Sequence, residues 1–273
     1  MEYLTGKVEL DDVAIGKTCS LLQKAFPKAT KFTPDFLKWQ YVENPLGKCI
    51  GYNAFDGEKM ISHYIGLPIE MNLFGSQCKG ILPINVATDP QYGGKRLFST
   101  LAAKTYALAA EEGYDFVIGV ANAQTTNAYI KHLGLYLIAP LDVRIGFGTK
   151  IYDNPQNFNC YRRWTSETLE WRMRNPDNHY AFSNNILTSR IAKVCQTVSY
   201  CSQKPNNVCN KKHFSLLNLY VGLGADLKKG TYFQMPSFVK HSPFNLVFMD
   251  LKGSLPIIKK EDMFFRLIDF DVI

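Results

Sequence analysis

The feature that most limits what this chain can fold into is the segment from Gly80 to Leu135, where two apolar runs flank a helical pattern. Residues 81–87 form a short apolar run with β-branched residues, which predicts a buried strand. Apolar residues then recur at helical spacing between Leu97 and Ala109, and a second apolar strand follows at 116–120. The segment is therefore predicted to fold as strand, turn, helix and strand. Before it, Thr33 is the predicted N-cap of a helix, Asp56-Gly57 predicts a hairpin turn, and residues 60–67 and 71–74 are predicted as separate strands.

The turn in this unit carries two glycines followed by two cations, Gly93-Gly94-Lys95-Arg96. Glycines let a backbone approach a ligand closely, and a helix N-terminus offers unpaired N–H groups and the positive end of its dipole. The turn therefore predicts a binding site for a phosphate-bearing ligand. It matches neither Gly-x-Gly-x-x-Gly nor the Lys-Ser/Thr ending of a P-loop, and a solvated turn with surface cations is the alternative.

An Asn-containing break at 122, a short helix and a Leu-Gly exit at 133–134 follow the second strand. With these elements in this order, the chain resembles the GNAT superfamily of acyl-CoA-dependent N-acyltransferases. The family's turn, Gln/Arg-x-x-Gly-x-Gly/Ala, aligns with Gly93, Arg96 and Phe98, and all three residues depart from it. Arg96 in the glycine position is compatible with pyrophosphate binding if its guanidinium contacts a phosphate directly.

The resemblance also implies substrates. The phrase Asp-Pro-x-Tyr-x-Gly-Lys-x-Leu-Phe-Ser at 89–99 is most similar to members that modify nucleotide-linked amino sugars for bacterial surface polysaccharides. Acyl-CoA is then the co-substrate, and no tightly bound cofactor is expected. In the family the turn holds the CoA pyrophosphate, and the strand before it lies beside the pantetheine arm. The implied acyl-CoA-binding residues are Asn85, Val86, Ala87, Gly93, Gly94, Lys95, Arg96, Leu97, Phe98 and Asn122.

Acyl transfer to an amine also needs proton-transfer groups. The family's general acid is often a tyrosine four residues before a glycine, a position held here by Ile130, so the candidate is its neighbour Tyr129. A shift of one residue turns a helical side chain by about 100°. His63 is the candidate base because its ordinary pKa lies near the working pH, although a lone strand histidine is more often structural. The candidate substrate-binding residues are Tyr41, Asn44, Tyr64 and Arg162.

The second half of the chain contains an echo of the first. The pattern Thr-x-x-x-Leu-x-Trp with a later Asn-Pro begins at Thr33 and again at Thr165. With only two copies, chance agreement is the alternative to a repeat. We predict an α/β (α+β) fold of two GNAT-like units in tandem, 1–150 and 151–273, each a mixed, largely antiparallel sheet flanked by helices. The second unit has no equivalent of the glycine turn and helix. It is therefore predicted to be degenerate and to complete the acceptor pocket.

Composition narrows the class of protein further. Of the 273 residues, 46% are hydrophobic and 13% aromatic, which is typical of a folded globular chain. The formal charge of +7 suits polyanionic partners, including both CoA and RNA. Cys195, Cys201, Cys209 and His213 match no zinc spacing, so no metal site is predicted. Without an apolar span or a leader pattern, a reducing cytoplasm and no membrane contact are expected, while the oligomeric state stays open.

Three functional hypotheses follow from the sequence. The first is an N-acyltransferase that moves an acyl group from acyl-CoA to the amine of a dTDP- or UDP-linked deoxyamino sugar. The second is a tandem-GNAT enzyme that takes its acyl group from aminoacyl-tRNA to build peptidoglycan bridges, but it predicts a basic stripe that the sequence lacks. The third is a non-catalytic module that binds acyl-CoA, favoured by the altered turn positions.

Overall fold

A computed structural model of the chain describes residues 3–147, 151–152, 155–192, 195–205, 215–224, 226–227, 231–235 and 242–270. The helices in these ranges are α1 (Asp12–Ala25), α2 (Pro34–Tyr41), α3 (Leu97–Glu111), α4 (Ala123–Leu133) and α5 (Ser166–Met173). The strands are β1 (Leu4–Lys7), β2 (Ile50–Asp56), β3 (Lys59–Leu73), β4 (Ser76–Thr88), β5 (Phe116–Ala121), β6 (Tyr136–Pro140), β7 (Asp142–Gly146), β8 (Ile151–Tyr152), β9 (Cys160–Arg162), β10 (Tyr180–Ser183), β11 (Ile186–Ala192), β12 (Cys195–Tyr200), β13 (Leu217–Leu223), β14 (Asp226–Leu227), β15 (Tyr232–Gln234), β16 (Asn245–Asp250) and β17 (Met263–Arg266). None of the helices in the described ranges is both long and apolar enough to cross a membrane.

The strand, turn, helix and strand predicted between Gly80 and Leu135 are present as β4, α3 and β5, so this prediction is confirmed. The predicted hairpin at Asp56-Gly57 joins β2 to β3. One prediction is wrong in detail, because residues 60–67 and 71–74 were expected as separate strands. They belong to the single strand β3, which pairs with β4 from Ser62 to Leu73 and is interrupted by one bulge.

Most of the strands close into a ring. Pairing runs from β3 through β4, β5 and β16 to β6, and from β7 through β13, β17 and β9 back to β3. Leu141 alone separates β6 from β7. The largest apolar cluster joins side chains from these strands to those of α1 and α2, while a second cluster lies between α3, α4 and the sheet. Helices therefore pack against the sheet in both apolar clusters.

Strand pairing also links the two halves of the chain. Strand β16, from the second half, lies between β5 and β6, and β7, from the first half, pairs with β13. The mixed sheet flanked by helices confirms the predicted fold class. The division at residue 150 stays a prediction, and each half contributes a strand to the other.

The repeated Thr-x-x-x-Leu-x-Trp pattern has a structural counterpart. Thr33 and Thr165 are the N-caps of α2 and α5, and each side chain accepts a hydrogen bond from the N–H three residues later. The indoles of Trp39 and Trp171 stack with centroids 4.9 Å apart. Each indole N–H donates to the backbone carbonyl of the other residue, at 2.8 and 2.9 Å. The two helices thus contribute equivalent contacts to this pair, as the predicted duplication would give.

Candidate active site

The site begins where β4 and β5 separate. These parallel strands pair only at Gly80 with Phe116 and at Ile81 with Val117, although β4 continues to Thr88. Gly80 permits this close approach, because a Cβ there would lie 2.3 Å from the Phe116 ring. Beyond the last pair the two strands leave a gap in the sheet.

A bulge in β4 faces this gap. His63 pairs with Ala87 and Ile65 with Ile84, so two residues of β4, Asn85 and Val86, lie opposite the single residue Tyr64. Asn85 has a φ of 47°, in the left-handed region that asparagine tolerates better than most residues. A bulge leaves backbone groups outside the regular ladder. An N–H at residues 85–87 is thereby placed to contact a ligand in the gap.

A cavity of about 760 Å³ lies at the gap, lined by side chains of β4, β5, α3 and α4 and by residues of β7 and β13. None of the described side chains that line it is charged. The lining residues are Pro83, Ile84, Asn85, Val86, Ala87, Thr88, Phe98, Val120, Asn122, Thr125, Tyr129, Val143, Ile191, Leu219, Val221, Met235, Ser242, Pro243, Phe244 and Leu267. Of the ten predicted acyl-CoA-binding residues, five line this cavity: Asn85, Val86, Ala87, Phe98 and Asn122.

Tyr129 reaches the cavity in spite of its shifted sequence position. Its side chain is buried against the Phe98 ring, with centroids 5.4 Å apart, whereas Ile130 is 40% exposed. Helix α4 therefore turns Tyr129, and not Ile130, toward the sheet. Burial raises the pKa of Tyr129 to about 12, which keeps the phenol protonated at neutral pH. A protonated phenol on the cavity wall is able to donate a proton.

Two further tyrosines stand behind Tyr129. The Tyr64 hydroxyl lies 3.3 Å from that of Tyr129 and 2.6 Å from that of Tyr106, and all three side chains are buried. Burial raises the pKa of Tyr64 and of Tyr106 well above the ordinary value of 10. Either hydroxyl of each pair is able to donate; when Tyr64 donates to Tyr129, the Tyr129 proton is left for another acceptor. The same hydrogen bond would stabilise a Tyr129 oxyanion.

Tyr64 was predicted to bind substrate, but its side chain is fully buried and does not line the cavity. The pairing of β3 with β4 explains this position, because Tyr64 lies opposite the bulge and its side chain points toward α3. Its place in the site is thus to hydrogen-bond Tyr129. Sequence reasoning missed Tyr106, which lies in the middle of α3 with no motif around it.

The start of the glycine turn is held by a buried carboxylate. Asp89 accepts from Lys24 at 2.8 Å, from Lys59 at 3.0 Å and from the Gln91 N–H at 3.1 Å. Burial by itself would raise the pKa of Asp89, but these hydrogen bonds lower it to about 2. Asp89 therefore remains ionised and ties the end of β4 to α1 and β3.

The turn itself is exposed at the N-terminus of α3, next to the cavity mouth at Phe98. Arg96 is the N-cap of α3 and has a φ of 57°, so it adopts the conformation that glycine adopts without strain. No hydrogen bond or ion pair of the Arg96 side chain occurs within the described ranges. Lys95 instead contacts the Tyr3 hydroxyl and lies over the ring of Tyr92 at 4.8 Å. The free guanidinium of Arg96 is the better placed of the two cations for a phosphate.

His63 does not reach the cavity, so the geometry argues against the predicted role as a base. It is fully buried, with Nδ1 2.6 Å from Asn53 Oδ1 and Nε2 3.2 Å from the Tyr41 hydroxyl. Burial lowers the pKa of His63 to about 3, which keeps the ring neutral. The Tyr41 hydroxyl in turn accepts from Asn85 Nδ2 at 2.9 Å. His63 and Tyr41 thus orient the Asn85 amide at the bulge.

Three other predicted substrate-binding residues lie outside the cavity lining. Tyr41 is buried behind Asn85, as described above. Asn44 is buried and donates to the Pro68 carbonyl at 2.9 Å, which is a turn-stabilising role. Arg162 is buried in the second half, donates to the Asp269 carbonyl at 2.6 Å and stacks on Trp164. None of the three contacts the cavity, because their partners hold them elsewhere.

Asn122 lies at the cavity edge and caps α4. Its side chain accepts from the Thr125 N–H at 2.9 Å. Cys195 and Cys201 are described, whereas Cys209 and His213 lie outside the described residues. Within the described part of the chain, no group of three His, Cys, Asp or Glu side chains is placed to hold a metal.

A splayed pair of parallel strands, a bulge, a helix N-terminus and a buried phenol surround one cavity, an arrangement that suits an acyltransferase. Residues 10–134 match a protein family described as acetyltransferase (GNAT) domain, which is somewhat less than half of the chain. Residues 10–134 are therefore similar to the GNAT acetyltransferases, a family whose co-substrate is acyl-CoA. Among curated proteins, no sequence is significantly similar to this chain.

Solved structures extend the similarity of fold over both halves. A probable N-acyltransferase from Enterococcus faecalis V583 has a TM-score of 0.63 at 10% identity, over 92% of this chain and 73% of its own. A GCN5-related N-acetyltransferase from Anabaena variabilis has a TM-score of 0.61 at 12% identity, over 91% and 73%. One from Kribbella flavida has a TM-score of 0.56 at 10% identity, over 90% and 71%. At these identities the likeness is one of fold.

Proposed function

We propose that this protein is an N-acyltransferase that uses acyl-CoA, with Tyr129 as general acid. The observation that carries the proposal is that Tyr129 and the Asn85 bulge line one cavity, beside the exposed N-terminus of α3. The CoA pyrophosphate would bind the N–H groups of the turn and the Arg96 guanidinium. The pantetheine arm would follow β4 into the gap.

In the reaction, a neutral amine nitrogen attacks the thioester carbonyl carbon, and an N–H at residues 85–87 stabilises the oxyanion. Collapse of this intermediate breaks the C–S bond and forms the amide. The amine loses one proton to water or buffer, and the departing thiolate takes one from Tyr129, which is reprotonated from solvent afterwards. One amine and one thioester thus give one amide and one thiol. Holding both reactants in one cavity supplies much of the rate.

The acceptor that the sequence favours is the amine of a dTDP- or UDP-linked deoxyamino sugar, in a cytoplasmic step of surface polysaccharide synthesis. The phrase at 89–99 and the charge of +7 support it. The uncharged lining of the cavity does not support this acceptor, because diphosphates are normally bound by cationic side chains. We keep this acceptor as the sequence-based hypothesis.

The two other hypotheses meet different observations. A module that only binds acyl-CoA has no need of a protonated phenol on the cavity wall, so the position of Tyr129 favours catalysis. An aminoacyl-tRNA substrate would be supported by RNA binding that weakens steeply with salt.

The test is a thiol-release assay with acetyl-CoA and octanoyl-CoA against dTDP- and UDP-linked amino sugars and simple alkylamines. We expect release that depends on an amine, and loss of release in Tyr129→Phe. Calorimetry with CoA is run on the same samples. A protein that binds no CoA would refute the proposal, and binding without amine-dependent release would favour the non-catalytic module.

A further inference from the structure

Two parts of the cavity lining differ in chemistry. Its polar side chains cluster toward the start of α4, where the Ala123 N–H donates to Ser242 Oγ at 3.2 Å and Asn122 and Thr125 cap the helix. A second part of the lining, here called the inner end, consists of aliphatic and aromatic side chains from both halves of the chain. These are Val143, Leu219, Val221, Met235, Phe244 and Leu267.

This inner end is continuous with the protein core. Val143, Val221 and Leu267 are at most 5% exposed, and all three belong to the largest apolar cluster. A polar or charged group placed here would lose its water without gaining a partner from the described lining, which costs several kcal/mol for a charge. The inner end therefore selects a ligand portion that carries no polar atoms.

We propose that the inner end binds the aliphatic chain of an acyl-CoA with a medium-length acyl group, and that acetyl is a poor fit. The inference rests on the proposed function. The thioester must lie beside Tyr129 for its thiolate to be protonated, and Tyr129 lines the same cavity as the inner end. An acyl chain has no polar atom beyond its carbonyl, whereas any acceptor must bring its amine to the same carbon. Of the two reactants, the acyl chain matches the walls.

The expected effect follows from burial of methylene groups. Each methylene moved from water into an apolar site strengthens binding by about three- to fourfold. From acetyl-CoA to octanoyl-CoA we expect a gain of at least a hundredfold, which allows for incomplete burial of six methylenes. The gain should stop once the chain reaches the end of the cavity.

The experiment measures binding of CoA, acetyl-CoA, hexanoyl-CoA, octanoyl-CoA and palmitoyl-CoA to the full chain by calorimetry. A stepwise rise in affinity with a plateau supports the inference. Equal affinity for acetyl- and octanoyl-CoA overturns it and assigns the apolar walls to the acceptor. Failure to bind CoA itself is the separate result that refutes the proposed function.

A matched pair of variants locates the chain. Leu219→Trp, at a half-buried residue of the inner wall, should lower octanoyl-CoA affinity at least tenfold and leave CoA and acetyl-CoA within twofold. Leu217→Trp lies in the same strand but outside the cavity lining and should change none of these affinities. An unchanged octanoyl-CoA affinity in folded Leu219→Trp would overturn the placement. The chain-length series on the unmodified protein needs no variant to fold.

Discussion

Asp89→Asn removes the carboxylate that anchors the start of the glycine turn and thereby tests its contribution to stability. In the folded chain its pKa is about 2, against an ordinary 3.8, because Lys24, Lys59 and the Gln91 N–H bind the ionised form. Because the pKa of Asp89 is lower in the folded chain, its ionised form stabilises the fold at pH values above the ordinary pKa. This stabilisation is lost as the pH falls toward 2. The shift corresponds to about 2 kcal/mol at pH 7, after allowance for the half-exposed lysines.

The assay is urea unfolding of both proteins, followed by tryptophan fluorescence at pH 7 and pH 3. At pH 7 we expect Asp89→Asn to lower the free energy of unfolding by about 2 kcal/mol, and at pH 3 the difference should shrink by about 1 kcal/mol. The control is Asp12→Asn, since Asp12 binds Lys38 at 2.7 Å but its side chain is 84% exposed, so its loss should destabilise the fold much less than the loss of Asp89. The reasoning is refuted if the two variants are equally stable at pH 7, or if the Asp89→Asn difference does not depend on pH.

Three further outcomes test the site. Tyr129→Phe should lower kcat by about 10² or more with CoA affinity unchanged. Tyr64→Phe should lower kcat by about tenfold, because one hydrogen bond to Tyr129 is lost. Equal activity of both variants and the unmodified protein would contradict the role of these hydroxyls in proton transfer. Arg96→Gly should weaken CoA binding by about tenfold at low salt while removing about 1 kcal/mol of backbone strain, so unchanged affinity would place the guanidinium away from the phosphates. The pH dependence of kcat should show no inflection near pH 6.5 that disappears in His63→Gln, because His63 stays neutral down to about pH 3.

Local features of the fold were predictable because their causes are local. The helix cap at Thr33 and the turn at Asp56-Gly57 depend on neighbouring residues, and each formed where the sequence predicted it. The long strand β3 was wrongly divided into 60–67 and 71–74. In the structure the strand continues through Pro68 without interruption of its pairing with β4.

The site was only partly predictable. Sequence order identified the bulge region, the turn and Tyr129, since these follow one another in a single segment. It misplaced His63, Asn44 and Arg162, because a polar residue in a strand or turn gives no sign of whether it faces a cavity or a buried partner. Only the packed structure distinguishes the two.

The sequence by itself determined the elements: a strand, glycine turn, helix and strand, and an echo centred on Trp39 and Trp171. The tertiary structure alone decided which side chains meet. Tyr64 contacts residues 42 and 65 positions away, and β16 enters the first sheet from the far end of the chain. Contacts at such separations depend on burial summed over the whole core, which no local pattern encodes. The acid, the hydroxyl chain behind it and the apolar end of the cavity are products of that packing.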